Sequence, residues 1–200
     1  MGSSAGERGE VAVTVSSRMS RLSGVSSEPS GCPAGFLSAI RRAVQQGGGR
    51  QQTADRVAAQ LRRHLPGPGI LAPGQLEGDP AGYQTHLVHA ERDGSFSIAA
   101  MVWRPGQVTP VHDHVSWCVT GVLQGTEHEE IFALDAVRGV LTETARRQNP
   151  AGVVAGFAPP GDIHRVRNGG DGVAVSMHIY GADLSRLGSS IRRVYTLPIR

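Results

Sequence analysis

The chain contains no lysine: all 20 of its basic residues are arginine. They stand in scattered pairs, Arg41-Arg42, Arg62-Arg63, Arg146-Arg147 and Arg192-Arg193, with no dense basic block and no interleaved aromatics. The net charge of +3 therefore does not form the basic stripe that phosphate binding demands, and no nucleic-acid partner is expected. Cysteine is nearly absent. Cys32 sits in a Gly/Pro-flanked stretch and Cys118 in an apolar run, which argues against a disulfide framework and for reduced thiols. No window approaches the roughly 18 consecutive apolar residues of a membrane span, so no membrane partner is expected either. Met1 to Ser30 lacks an apolar region between a basic start and a small-residue cleavage site. It reads as neither signal peptide nor anchor, and the expected compartment is the cytoplasm.

Two hundred residues suffice for one domain with its own core. Residues 1–32, rich in Ser and Gly without apolar periodicity, read as a disordered tail ahead of a single domain over residues 33–200. Phe36, Leu37, Ile40 and Val44 recur at helical spacing up to Gly47-Gly48-Gly49. A second helix follows, with Thr53 as N-cap and Val57, Leu61 and Leu65 on one face. This helical segment (33–66) leads through a Pro/Gly-rich loop, Pro66 to Pro80, into short β-like runs over residues 83–200. These are Leu87-Val88, Phe96 to Trp103, Val115 to Leu123, Glu130 to Leu134, Val153 to Phe157, Val173 to Tyr180 and Ile191 to Leu197. Short strands at this spacing predict a mainly β domain, with two short helices packed on an antiparallel barrel. No internal repeat is evident.

The chemistry concentrates in two stretches. In Gly106-Gln-Val-Thr-Pro-Val-His112-Asp-His114 the two histidines share one face of a strand, because side chains alternate. A third metal ligand comes from Pro159-Pro160-Gly161-Asp162-Ile163-His164, where a Pro-Gly turn delivers His164 to the start of a strand that ends at Asn168. A lone His-x-His is weak evidence for a metal. Both stretches in order are much stronger.

Together they resemble the two cupin motifs, a Gly and five residues before His-x-His, and later a Pro-x-Gly turn leading to His and Asn. The resemblance implies a cupin barrel (a double-stranded β-helix, or jelly roll). Many cupins add a glutamate ligand soon after the second histidine. Here Val115-Ser-Trp-Cys118-Val119 offers no carboxylate, and Glu127, Glu129 and Glu130 lie past the turn at Gly125. The inferred site is three neutral imidazoles, His112, His114 and His164. They leave the ion's charge uncompensated and up to three positions open, which favours an anionic ligand such as a thiolate.

Ser176-Met-His178-Ile-Tyr180 places three polar side chains on one face of a strand. With the three histidines and the run Trp117 to Gly125, this resembles the cysteine dioxygenase and 3-mercaptopropionate dioxygenase family over Tyr83 to Tyr195. That likeness implies one Fe(II) per chain, a small-molecule thiol and O₂ as partners, a sulfinic acid product, and a relay of Ser176, His178 and catalytic Tyr180. In the family's animal members a cysteine is joined to the relay tyrosine by a thioether. Counted back from Gly125, Cys118 holds that position, so it is either linked to Tyr180 or a small buried hydrophobe.

A carboxylate-bearing thiol would need a cationic partner. The stretch Tyr83-Gln84-Thr85-His86-Leu87 lacks the arginine of animal members, and Arg192 or Arg193 is the expected clamp, as in the bacterial ones. Gln84, His86 or His89 are alternative groups for an unfamiliar thiol. Two other readings stand beside the dioxygenase: a cupin enzyme acting on a non-thiol substrate, and a non-catalytic metal-binding or ligand-sensing cupin. The chain is expected to be a monomer or small homo-oligomer.

Overall fold

The computed structural model describes residues 19–21 and 31–200. Of the segment expected to be a tail, residues 1–18 and 22–30 lie outside the described residues. Within it, β1 (Met19–Arg21) pairs in parallel with β2 (Gln84–Ala90).

Apolar spacing makes α1 (Phe36–Gln45) and α2 (Arg50–Arg63) amphipathic. Thr53 is not the N-cap of α2. It lies buried inside the helix, and Gly49 holds the cap, its N–H donating to Gln52 Oε1 at 3.2 Å. The glycine run thus starts the helix one turn earlier than the threonine suggests.

Two sheets follow. The six-stranded one runs β1-β2-β3-β10-β5-β8, with β3 (Ser97–Trp103), β5 (Cys118–Gln124), β8 (Val154–Phe157) and β10 (Ala174–Tyr180). The five-stranded one runs β11-β4-β9-β6-β7, with β4 (Val111–His114), β6 (Thr126–Asp135), β7 (Val140–Pro150), β9 (His164–Asn168) and β11 (Ile191–Tyr195). Apart from β1, every pairing between these strands is antiparallel. A short helix, α3 (Leu184–Leu187), connects β10 to β11. The molecule is the mainly β cupin barrel that the motifs imply, helices outside.

Period-two alternation divides the larger sheet. Ile98, Ala100 and Val102 of β3, Val119 and Leu123 of β5, and Val175, Met177 and Ile179 of β10 join Phe36, Ile40, Val57 and Leu61 in one core cluster. The opposite faces of the same strands are thereby turned to the barrel interior. Helix α2 comes close. A Cβ on Gly121 of β5 would meet Leu61 Cδ2 of α2 at 3.0 Å and Leu65 Cδ1, just past the helix, at 2.7 Å, and one on Gly156 of β8 would meet the Ala54 carbonyl oxygen at 3.1 Å.

Two strand expectations are corrected. Val115 to Trp117 lies ahead of β5, which begins at Cys118. The long β7 was not foreseen, because as the edge of its sheet it carries mostly exposed polar residues with no alternating apolar face.

Candidate metal centre

Strand β4 presents His112 and His114 to the interior, and β9 begins at His164, the register partner of His112. The ligand atoms of the three imidazoles lie within 4.8 Å of one another, and all three side chains are buried. Each ring has its outer nitrogen engaged. His112 Nδ1 is 2.9 Å from the Pro110 carbonyl, His114 Nδ1 is 3.1 Å from Asp162 Oδ2, and His164 Nδ1 is 2.8 Å from Glu129 Oε1. Acceptors at Nδ1 select the tautomer with its lone pair on Nε2, the form a metal requires. Burial lowers the pKa of His112 well below its ordinary value, helped by His164 and His114. Burial also lowers that of His114, against the pull of Asp162. Three imidazoles in a triangle, each with its outer nitrogen engaged, fit one transition-metal ion.

The grouped ligand atoms are those of the three histidines, without Glu127, Glu129 or Glu130. Two carboxylates nonetheless hold the ligands in place. Asp162 accepts both the backbone N–H of His114 (2.9 Å) and its ring nitrogen, and Glu129 orients His164. Sequence reasoning missed both roles. The available signals were Asp162 two residues before His164, and Glu129 at even spacing from Ile131, which opposes His164 across β6 and β9.

The relay residues lie on the inner face of β10. Ser176 Oγ is 2.9 Å from His178 Nε2, and Tyr180 Oη is 3.2 Å from His178 Nδ1. Trp103 Nε1 donates to Ser176 Oγ at 3.2 Å, which adds an unforeseen member. Burial, with the neighbouring His114 and His164, pushes His178 down to about 3. This ring therefore works as a neutral donor–acceptor. Burial drives the Tyr180 phenol well up, keeping it protonated. Cys118 and Tyr180 are register partners across β5 and β10, and burial raises the Cys118 thiol well above its usual value.

A cavity of about 50 Å³ opens onto the histidines, Tyr180 and His178. That is a few waters' worth of space, suited to a small ligand and not to a macromolecule. Its other walls combine the hydroxyls and rings of Tyr83, Thr85, Trp103, Thr109, Ser189 and Ser190 with the apolar side chains of Met101, Val166, Leu184 and Ile191. No arginine lines it among the described residues. Arg192 and Arg193, expected as the clamp, instead reach Asp113 Oδ2 at 3.7 and 2.7 Å. Strand alternation explains the miss. Asp113 points away from the face that carries His112 and His114, and Arg193, its register partner on the neighbouring strand β11, reaches it on that outer side. Gln84, His86 and His89 also stay outside the cavity. His86 turns to Gln75 (3.2 Å), and His89 turns to Glu91 (3.3 Å). Thr85 is the residue of that strand that faces in.

A family model for cysteine dioxygenase type I matches residues 76–190. Among solved structures, an oxalate oxidase is 21% identical over 52% of this chain and 53% of its own, with a TM-score of 0.42. The match thus spans about half of that protein's length. A cupin superfamily protein from Desulfitobacterium hafniense DCB-2 is 11% identical, covering 57% of this chain and 85% of its own, at a TM-score of 0.42. A Cupin 2 conserved barrel domain protein from Salinispora arenicola CNS-205 is 20% identical, covering 55% and 83%, at a TM-score of 0.41. No helix among the described residues is long and apolar enough to cross a membrane.

Proposed function

Because the chain belongs to the cysteine dioxygenase type I family, we propose that it is a non-haem Fe(II) thiol dioxygenase that converts a small thiol and O₂ into the sulfinic acid. The observation that carries this reading is the convergence, on one small cavity, of three neutral imidazoles and a tyrosine at the end of a hydrogen-bonded relay. His112, His114 and His164 would hold the iron, which when bound supplies the redox chemistry that joins O₂ to sulfur. The overall change, RSH + O₂ → RSO₂H, needs no external reductant.

The chain's own residues would do the rest. Tyr180, kept protonated by burial, offers a hydroxyl at the cavity wall to hydrogen-bond the reacting oxygen or sulfur. His178, locked between Ser176 and Tyr180, fixes that hydroxyl's direction. The remote end of the substrate meets the hydroxyl-bearing walls at Tyr83, Thr85, Thr109, Ser189 and Ser190. The cavity supplies no guanidinium for a substrate carboxylate, so carboxylate recognition rests on these hydroxyls and on the metal centre. A cytoplasmic setting, where thiols persist reduced, fits this substrate class.

A Cys118–Tyr180 thioether belongs to the same proposal. It would form by loss of one hydrogen from the thiol and one from the ring, a two-electron oxidation in which O₂ takes up both hydrogens as H₂O₂. An intact mass lower by two hydrogens after turnover, absent from Cys118→Ser, is the expected signature.

The main test is oxygen uptake by anaerobically Fe(II)-loaded protein with cysteine, 3-mercaptopropionate, mercaptosuccinate, cysteamine and a thio-imidazole. One O₂ consumed per thiol, with a sulfinate product, is expected for at least one of them. Stoichiometrically bound iron with no uptake across the panel would shift the reading to a non-thiol substrate or to ligand sensing.

A further inference from the structure

Ser97 opens β3 on the row that continues through Met101 and Trp103, two residues of the cavity wall. Its register partner on β10 is Tyr180. Ser97 is fully buried, yet it lines no part of the cavity itself. Its hydroxyl is engaged by the chain that follows β10. Ser97 Oγ donates to the Ala182 carbonyl at 2.8 Å and accepts the Leu184 backbone N–H at 3.0 Å. One side chain thus satisfies an acceptor and a donor two residues apart, where the chain leaves the sheet and turns into α3.

The segment fixed in this way forms one wall of the cavity, through Leu184, Gly188, Ser189 and Ser190. Leu184 is buried in a cluster with Ala99, Cys118 and Tyr180. Leu187 is 56% exposed, so the turn is packed at its first residue and open at its last. Asp183 caps the turn by accepting the Ser185 N–H at 3.0 Å, and Gly188 ends it in the left-handed conformation, φ 77°. At the far end the Ser190 carbonyl accepts the N–H of Val115, the residue after His114, at 3.0 Å. The wall is therefore a short span strung between two fixed points, Ser97 on the sheet and Val115 beside a metal-site histidine.

We propose that Ser97 is a positioning residue for substrate size: by pinning Leu184 it holds the span from Leu184 to Ser190 against the cavity and restricts the site to thiols with a short remote end. The inference rests on the thiol reading of the site and names what limits its substrate. A cavity of about 50 Å³ leaves little slack. A wall that yields by the width of one methylene then changes the relative affinity of short and long thiols by about tenfold or more.

The test is anaerobic thiol binding to Co(II)-loaded full-length protein, read from thiolate-to-cobalt absorption. The probes are mercaptoethanol, mercaptopropanol, mercaptobutanol and mercaptohexanol, which share a thiol and a hydroxyl and differ only in length. In the wild type, affinity is expected to fall by about tenfold or more along the series. Ser97→Ala is expected to flatten that fall, and to speed amide exchange at Leu184 by about ten- to a hundredfold through loss of its acceptor. Leu184→Ala keeps both backbone bonds to Ser97 and is expected to flatten the series by shortening the wall itself, so the proposal does not depend on one variant folding. A merely structural Ser97 would weaken all four thiols alike and leave the slope unchanged. A Ser97→Ala slope as steep as the wild type's overturns the proposal, as does such a slope in Leu184→Ala or a flat series in the wild type. If no thiol binds while cobalt is retained, the thiol reading fails and the size limit falls with it, an outcome distinct from equal slopes.

Discussion

Arg193 Nη2 lies 2.7 Å from Asp113 Oδ2, and Asp113 stands between the two histidines of β4. The Tyr195 hydroxyl donates to the same oxygen at 2.9 Å. Strand β11 is thus latched along the edge of the metal strand by side chains on the outer face of the sheet, and the Arg193 guanidinium is engaged by Asp113. Arg193→Ala is expected to cost about 1–3 kcal/mol in denaturant unfolding, since it strips a buried carboxylate of its main partner while Arg192 and Tyr195 remain. The KM of carboxylate-bearing thiols should move no more than that of uncharged ones. A KM increase confined to carboxylate substrates would put the guanidinium on the substrate after all.

Glu129 reaches His164 at 2.8 Å, and burial keeps both side chains nearly dry. Replacing its carboxylate with an amide removes a charge-assisted bond that fixes both tautomer and ring direction. Glu129→Gln should therefore weaken metal binding by about 10–100-fold, read by competition with a chelator. The fold should survive, since the amide oxygen still accepts from Nδ1–H. Unchanged affinity would show that the other two ligands and the barrel orient His164 unaided.

The grouping of the three histidines and the Ser176–His178–Tyr180 row was legible in the sequence because strand alternation is strict: His112 and His114, or Ser176, His178 and Tyr180, must share a face once their segments are strands. What stayed hidden depends on pairing between strands distant in the chain. Glu129 and Trp103 meet His164 and Ser176 only through the β6–β9 and β3–β10 registers, which no local pattern reveals. The arginine clamp failed for the same reason. The residues of β11 were readable, but the register in which they pair with β4, and so the face their side chains take, was not.

The helix–sheet contact offers a test remote from the metal. Gly121 leaves room for α2, since a Cβ there would sit 2.7 Å from Leu65 Cδ1 and 3.0 Å from Leu61 Cδ2. Gly121→Val should push the helix off β5 and cost about 1–3 kcal/mol by overpacking. Gly121 faces the helices, so metal affinity should stay within a few-fold of wild type. A large loss of metal alongside the loss of stability would mean that α2 helps to hold the inner face of the sheet in register.

Glu127 also makes a prediction about stability, measured on metal-free protein. Its carboxyl is raised from 4.5 to about 7 in the folded state. Below 4.5 both folded and unfolded chains hold the proton, and above about 7 both have released it. Between these limits the unfolded chain ionises first, so it binds fewer protons than the folded one and stability falls as pH rises. The slope is at most about 1.4 kcal/mol per pH unit, and the whole effect is on the order of 3 kcal/mol. Glutamine has no such term. The stability of the wild type relative to Glu127→Gln should therefore decline steadily from about pH 4.5 to 7 and then level off. Unfolding curves at a series of pH values read this difference directly, with contributions from other groups cancelling between the two proteins. Parallel stability profiles would mean that the carboxyl ionises at its ordinary pKa, which would require water or a counter-charge at the Oε1 atom that is buried without a partner here.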